Sequence, residues 1–201
     1  MVVNIVLASS SPRRREILKS VGLTFQVISP EAEESHKSGE SPEDFALRLS
    51  KEKALSVARG CEAGTIVIGA DTVVVVDNDI LGKPLNENEA TSMLRKISGR
   101  EHRVLTAFSI VKSGSQVLHS EIVQTLVSVK NLAAYEIEGY IMTGEPMDKA
   151  GAYAIQGIGA FMIKEVRGSY TNVVGLPLFE LLKALKLQGA CDILSVNGFK
   201  K

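Results

Sequence analysis

The sequence predicts an α/β fold: a mixed, largely antiparallel-containing, twisted sheet flanked by helices. Three observations carry that expectation. Apolar runs rich in β-branched residues alternate along the chain with segments whose apolar residues recur at the helical period. Two long strand-like segments meet at Gly114-Ser115, which implies an antiparallel pair. The chain has 201 residues, 45% hydrophobic and 23% charged, with no repeat, low-complexity tract or linker. At about 150 residues per domain, that predicts a single domain over 1–201.

Taken in order, Val3 to Ala8 is a continuous apolar run expected to form a buried strand. Ser9-Ser10-Ser11-Pro12 then supplies a helix cap followed by proline. Ile17, Leu18 and Val21 mark one face of that helix, and Gly22 stops it. Thr24 to Ser29 alternates and reads as a strand, and the polar stretch Pro30 to Glu40 as a loop. Ser41-Pro42-Glu43-Asp44 opens a helix to about Ala58, with Phe45, Ala46, Leu49, Ala54 and Val57 at the helical period. Thr65 to Val76 is strand-like, and Asp77-Asn78-Asp79 is a turn. An amphipathic helix over Glu87 to Ile97 closes at Ser98-Gly99. The paired strands follow at Arg103 to Lys112 and Gln116 to Val129. Ala133 to Met142 reads as a short helix, Gly151 to Val166 as two short strands around Gly157 and Gly159, and Leu178 to Leu187 as a last helix.

Composition removes several functions. Basic and acidic residues balance at 23 each, and aromatics make up only 5%, so neither a nucleic-acid platform nor an anionic membrane is an expected partner. Cys61 and Cys191 lie far apart without a CxxC, against a disulfide scaffold or a cysteine zinc site and in favour of the reducing cytoplasm. The apolar stretches are broken by Asp71 or Pro177, so no transmembrane helix is expected. The first residues lack the basic region of a signal peptide.

Among residues able to carry chemistry, Asp71 is the most informative. A carboxylate inside IVIGADTVVVV costs several kcal/mol if buried alone, so it requires a partner, a metal or a cleft. Gly69 just upstream permits close approach of backbone or ligand. No GxxxxGK[ST] or GxGxxG is present; the first strand-to-helix junction instead carries Ser9-Ser10-Ser11-Pro12-Arg13-Arg14. Free N–H groups at a helix start, with hydroxyls and the Arg13 and Arg14 guanidiniums, make a phosphate grip; a capped helix with solvated arginines explains the same residues more simply. Lys53 in mid-helix and Lys83 in Gly82-Lys83-Pro84 each read alone as surface charges, and Glu33-Glu34 as a soluble acidic pair or half a metal site. Gln156 in an apolar segment either pairs with a nucleobase edge or satisfies a neighbouring strand. Asp148-Lys149 and Ser169-Tyr170 are weaker candidates.

Together, LASSSPRR (Leu7 to Arg14), VIGADTVV (Val67 to Val74), GKP (Gly82 to Pro84), SGREHRVLTA (Ser98 to Ala107), GEPMDKAGAYAIQG (Gly144 to Gly157) and GSYTNVVGLP (Gly168 to Pro177) resemble the Maf-like nucleoside triphosphate pyrophosphatases. The resemblance spans nearly the whole chain. It implies a Maf/ITPase-like fold with two lobes around a central cleft, and hydrolysis of a nucleoside triphosphate to monophosphate and pyrophosphate as nucleotide-pool housekeeping. It also implies a divalent metal, Mg²⁺ or Mn²⁺, and a homodimer. One branch of that family acts on dTTP and UTP, another on 7-methyl-GTP. Arg13, Thr72 and Gln156 match the first branch, which implies dTTP, UTP and modified pyrimidine nucleotides as substrates. The family's catalytic aspartate falls on Asp71. Its other cleft residues fall on Arg14, Glu34, Lys53 and Lys83, with Glu34 and Asp71 as the expected metal ligands.

A mechanism follows from those positions. Asp71 accepts the proton of an attacking water or binds the cation that acidifies it, while the arginines, Lys53 and Lys83 hold the triphosphate. Two readings compete: a non-catalytic nucleotide-binding regulator of cell division and septum formation, and a general phosphatase. Release of pyrophosphate separates both from the first.

Overall fold

The structure, a computed structural model, describes residues 3–191. Strands β1 (Ile5–Ala8), β2 (Gln26–Ile28), β3 (Ile66–Val76), β4 (Asp79–Leu81), β5 (Glu101–Lys112), β6 (Gln116–Val129) and β7 (Ile163–Arg167) form one seven-stranded sheet. Its order is β2-β1-β3-β5-β6-β7, with β4 beside β3. Helices α1 (Pro12–Ser20), α2 (Pro42–Ala58), α3 (Glu87–Ile97), α4 (Ala134–Met142), α5 (Tyr170–Val174) and α6 (Leu178–Leu187) complete the fold. The predicted mixed α/β class holds: β1 is parallel to β2 and β3, while β3–β4 and β6–β7 are antiparallel. No helix among the described residues is long and apolar enough to cross a membrane.

The chain forms two compact units. Among the described residues, the first comprises 3–71, 107–122 and 175–191, and the second 72–106 and 123–174. In the first, the parallel β2-β1-β3 core is covered by α2, whose Ala54, Val57 and Ala58 pack with Val6, Ala8, Val67 and Val111. Ser41 caps α2 by accepting the Asp44 N–H at 3.0 Å, and Glu43 and Asp44 place negative charge at its positive end. In the second unit, α3 presents Ala90, Met93, Leu94 and Ile97 to a cluster with Val74, Val104 and Val129. Each such large side chain stabilises by roughly 1.5–3 kcal/mol when fully buried.

Three elements depart from those expected, two of them for a local reason. Asp77 and Asn78 both adopt positive φ (52° and 77°), so the predicted turn folds β3 straight back into β4, a return strand of only three residues. Helix α5, five residues long, is a further element beyond those expected. Of the two strands predicted within Gly151 to Val166, only Ile163–Arg167 forms. Gly151, Ala152 and Gly157 have φ of 70°, 57° and 68°, which breaks an extended chain, so the apolar alternation there serves short 3₁₀ turns instead.

Candidate active site

Five of the predicted residues, Arg13, Arg14, Glu34, Lys53 and Asp71, lie within the first unit. Gly69 on β3 pairs with Ala8, the last residue of β1, and Asp71 lies two residues further along. It therefore sits just beyond the carboxyl end of β1, the edge of a parallel sheet where ligands bind in open α/β folds. From that end the chain leaves through Ser9 into α1. Ser9 Oγ accepts the Ser11 N–H at 3.1 Å and the Arg14 Nη1–H at 3.4 Å, while Arg14 Nε–H donates to the Gly175 carbonyl at 2.7 Å. Ser11 occupies the cap position predicted from sequence, yet its side chain makes no capping bond. The hydroxyl that braces the α1 entrance belongs to Ser9.

Asp71 is 7% exposed and its carboxylate accepts a hydrogen bond from Lys53 Nζ at 2.7 Å. Lys53 is equally buried, on the face of α2 that carries Ser50, Ala54 and Val57. Gly69 explains how a helix comes so close to the strand. A Cβ there would overlap the Ser50 carbonyl and lie 2.7 Å from the Ala54 nitrogen. The freedom expected of Gly69 is therefore used by the α2 backbone, which lands Lys53 on Asp71. The second oxygen ligand of the ammonium is Glu34 Oε1, at 2.6 Å from the exposed loop before α2. Arg48 ties the same loop to α2 through Glu40 and the Ser35 carbonyl.

The electrostatics follow from this packing. Burial pushes the Asp71 carboxyl above its ordinary value; Lys53 and Arg14 oppose that shift and Glu34 adds to it. Burial lowers the Arg14 guanidinium, against the attraction of Asp71 and Glu34 and with the repulsion of Arg13. Asp71, Lys53, Glu34, Arg14 and Arg13 thus form one interacting charge cluster, and Lys53 is a buried charge rather than the surface charge it resembles in isolation.

Glu34 and Asp71 also bear on a divalent cation. Among the described residues no three His, Cys, Asp or Glu side chains gather to hold a metal. Glu34 Oε1 and Asp71 Oδ1 both meet Lys53 Nζ, at 2.6 and 2.7 Å, and are carboxylate oxygens of the kind a magnesium-like ion shares with phosphate oxygens. They do not make an all-protein cage.

The remaining predicted residues belong to the second unit. Thr72 exchanges a hydrogen bond with Thr106 at 2.9 Å, and Thr106 also donates to the Asn172 carbonyl at 2.9 Å. Asn172, unanticipated from sequence, is fully buried and donates to the Val104 carbonyl and to Thr125 Oγ1. Lys83 is exposed in the loop after β4. Gln156 is exposed on a bend between two 3₁₀ turns rather than within the expected strand. The weaker candidates are local: Lys149 Nζ pairs with Asp148 at 2.5 Å, and Ser169 Oγ accepts the Asn172 N–H at 3.2 Å.

Comparison with known proteins adds the following. Residues 4–188 match the sequence model of a family described as Maf-like protein. A dTTP/UTP pyrophosphatase of Geotalea uraniireducens (strain Rf4) is 48% identical over 189 residues, covering 94% of this chain and 97% of the relative. Another, of Syntrophus aciditrophicus (strain SB), is 46% identical over 186 residues, covering 92% and 90%. Among solved structures, a HAM1 protein from Coxiella burnetii aligns with a TM-score of 0.51 at 14% identity, covering 94% of this chain and 100% of that one. That last likeness is one of fold alone.

Proposed function

Since this chain belongs to the Maf-like protein family, we propose that it hydrolyses dTTP and UTP, with modified pyrimidine triphosphates, to the monophosphate and pyrophosphate. The observation that supports this most strongly is the buried Asp71 carboxylate held by Lys53 beside Arg14 and Glu34. Cleavage between the α- and β-phosphates requires water in line with the leaving pyrophosphate and stabilisation of charge on the phosphoryl oxygens. Asp71 takes the proton from that water, and burial, which raises its proton affinity, suits it to the task.

A triphosphate is a polyanion, and two bare carboxylates would repel it. Lys53, Arg13 and Arg14 reverse the sign of the site, and the guanidiniums match phosphate oxygens in geometry as well as charge. Glu34 and Asp71 would hold the Mg²⁺ or Mn²⁺, which when bound supplies neutralising charge to the phosphates and acidifies water. In this reading Lys83 binds the departing pyrophosphate, Thr72 contacts the substrate, and the Gln156 amide offers a donor and an acceptor to the uracil or thymine edge. The enzyme works as a homodimer in the cytoplasm, a part of the proposal that light scattering and cell fractionation check.

A panel of nucleoside triphosphates with Mg²⁺ or Mn²⁺, resolving every product, tests the whole. Pyrophosphate and monophosphate from dTTP and UTP are expected. Orthophosphate as first product would make the protein a phosphatase, binding without turnover would make it a regulator, and preference for 7-methyl-GTP would move it to the other branch.

A further inference from the structure

The bend that carries Gln156 is held by a single carboxylate. Glu145 Oε1 accepts hydrogen bonds from the Gly159 N–H and the Tyr140 hydroxyl, both at 2.9 Å, and Oε2 accepts the Ile158 N–H at 3.0 Å. Tyr140, 2% exposed, accepts the Ala154 N–H on its hydroxyl oxygen at 3.2 Å. The pair therefore gathers backbone donors from both sides of Gln156. These N–H groups lie on irregular chain outside any sheet ladder, and the acid collects two of them where a strand would have supplied partners.

The neighbouring glycines make room for this arrangement. Gly157 has φ of 68°, and a Cβ on it would lie 2.5 Å from Glu145 Oε2. A Cβ on Gly159 would lie 2.5 Å from the Ala154 carbonyl and 2.6 Å from the Tyr140 hydroxyl. Glu145 is fixed in turn, with its N–H on Thr143 Oγ1 at 3.2 Å and its carbonyl accepting from Lys149 Nζ at 2.6 Å.

We propose that Glu145 is a positioning residue for base selection: it fixes the bend that presents Gln156, so discrimination between nucleobases depends on a carboxylate that acts only through that bend. The inference rests on the reading of Gln156 given above. Uracil and cytosine have the same outline and opposite donor–acceptor patterns at their pairing edge. An amide tells them apart only if its orientation is held within about 10–20°. A loosened bend therefore costs discrimination before it costs chemistry.

The test compares kcat and KM for UTP and CTP in the wild type, Q156A, E145A, E145Q and the double variant Q156A/E145A, with backbone amide exchange on each protein. Loss of a positioned hydrogen bond is worth about tenfold. E145A should lower the UTP-over-CTP ratio of kcat/KM by about that factor, with the loss in KM rather than kcat. E145Q, which keeps one acceptor oxygen, should lose less. Exchange should speed up at Ala154, Ile158 and Gly159 and nowhere else, and the double variant should be no less selective than Q156A. Unchanged selectivity in E145A or E145Q, despite faster exchange at those amides and a selective loss in Q156A, overturns the inference. So does a further, independent loss in the double variant. Unchanged selectivity in Q156A itself marks a different failure, that of the base-reading role of Gln156.

Discussion

In the first unit, Asp71, Lys53 and Arg14 stand on a strand and two helices. In the second, Gln156 stands on a bend whose backbone donors are collected by Glu145. The first arrangement needs rigid elements pressed together, because a buried ion pair is worth having only when its geometry is held. Gly69 supplies that by letting α2 seat on β3. The second uses irregular chain, and in the proposed reading an exposed amide that meets a base edge cannot come from the middle of a paired strand. It is made rigid by a side chain instead of a ladder. In the proposed reading, side chains on regular elements carry the chemistry in one region, whereas in the other a side chain supports the bend that presents the recognising amide.

The largest effect that could break this contrast is at Asp71. D71N keeps the shape of the side chain and removes its charge, and steady-state turnover of UTP should fall by about two to four orders of magnitude. If the variant retained most of its turnover, the strand-borne acid would be structural and the distinction between the regions would vanish.

Next comes the anchor of the second region. His102 is buried, with Nε2 2.7 Å from the hydroxyl of Tyr153, the residue preceding Ala154. Its Nδ1 has no hydrogen-bond partner among the described residues. Burial lowers the imidazole from 6.5 to about 4, with Glu101 opposing. The unfolded chain therefore takes up the proton first as pH falls. The stability present above about pH 6.5 is lost progressively down to about pH 4, to the extent of about 3 kcal/mol. Urea unfolding at a series of pH values should show that slope in the wild type and a shallower one in H102Q.

Smaller still is the change at Gly69. G69A adds a methyl group where the Ser50 carbonyl and Ala54 already stand, an overpacking that costs about 1–3 kcal/mol. Because the strain falls between α2 and β3, activity should drop further than the stability loss explains. Denaturation and UTP kinetics on the same preparation check this. A loss of stability with full activity would show that the Lys53–Asp71 contact does not depend on the close seating of the helix.

The contrast also decides what was readable from the sequence. Helices α2, α3 and α6 and strand β6 were legible because their apolar residues repeat at one period and end at Ser, Asn or Gly signals. Asp71 was legible for an energetic reason: a charge in an apolar strand must be satisfied, and Lys53 satisfies it. That Lys53 is the partner was not, since nothing in a helical lysine says that a glycine on the opposing strand has drawn it inside. The bend around Gln156 is not legible, because apolar alternation is shared by strands and by turns that bury alternate residues. Only the positive φ at Gly151, Ala152 and Gly157 distinguishes them, and Ala152 gives no residue-level warning of it. Glu145 is hidden for the same cause, as its backbone partners lie 13 and 14 residues away, and backbone groups carry no sequence signal.

Hydrolysis of UTP in water enriched in oxygen-18, with mass analysis of both products, tests the central claim most directly. Attack by a water that Asp71 deprotonates at the α-phosphorus places the heavy oxygen in UMP and leaves pyrophosphate unlabelled. Label in the pyrophosphate, or orthophosphate as the first product, would contradict it.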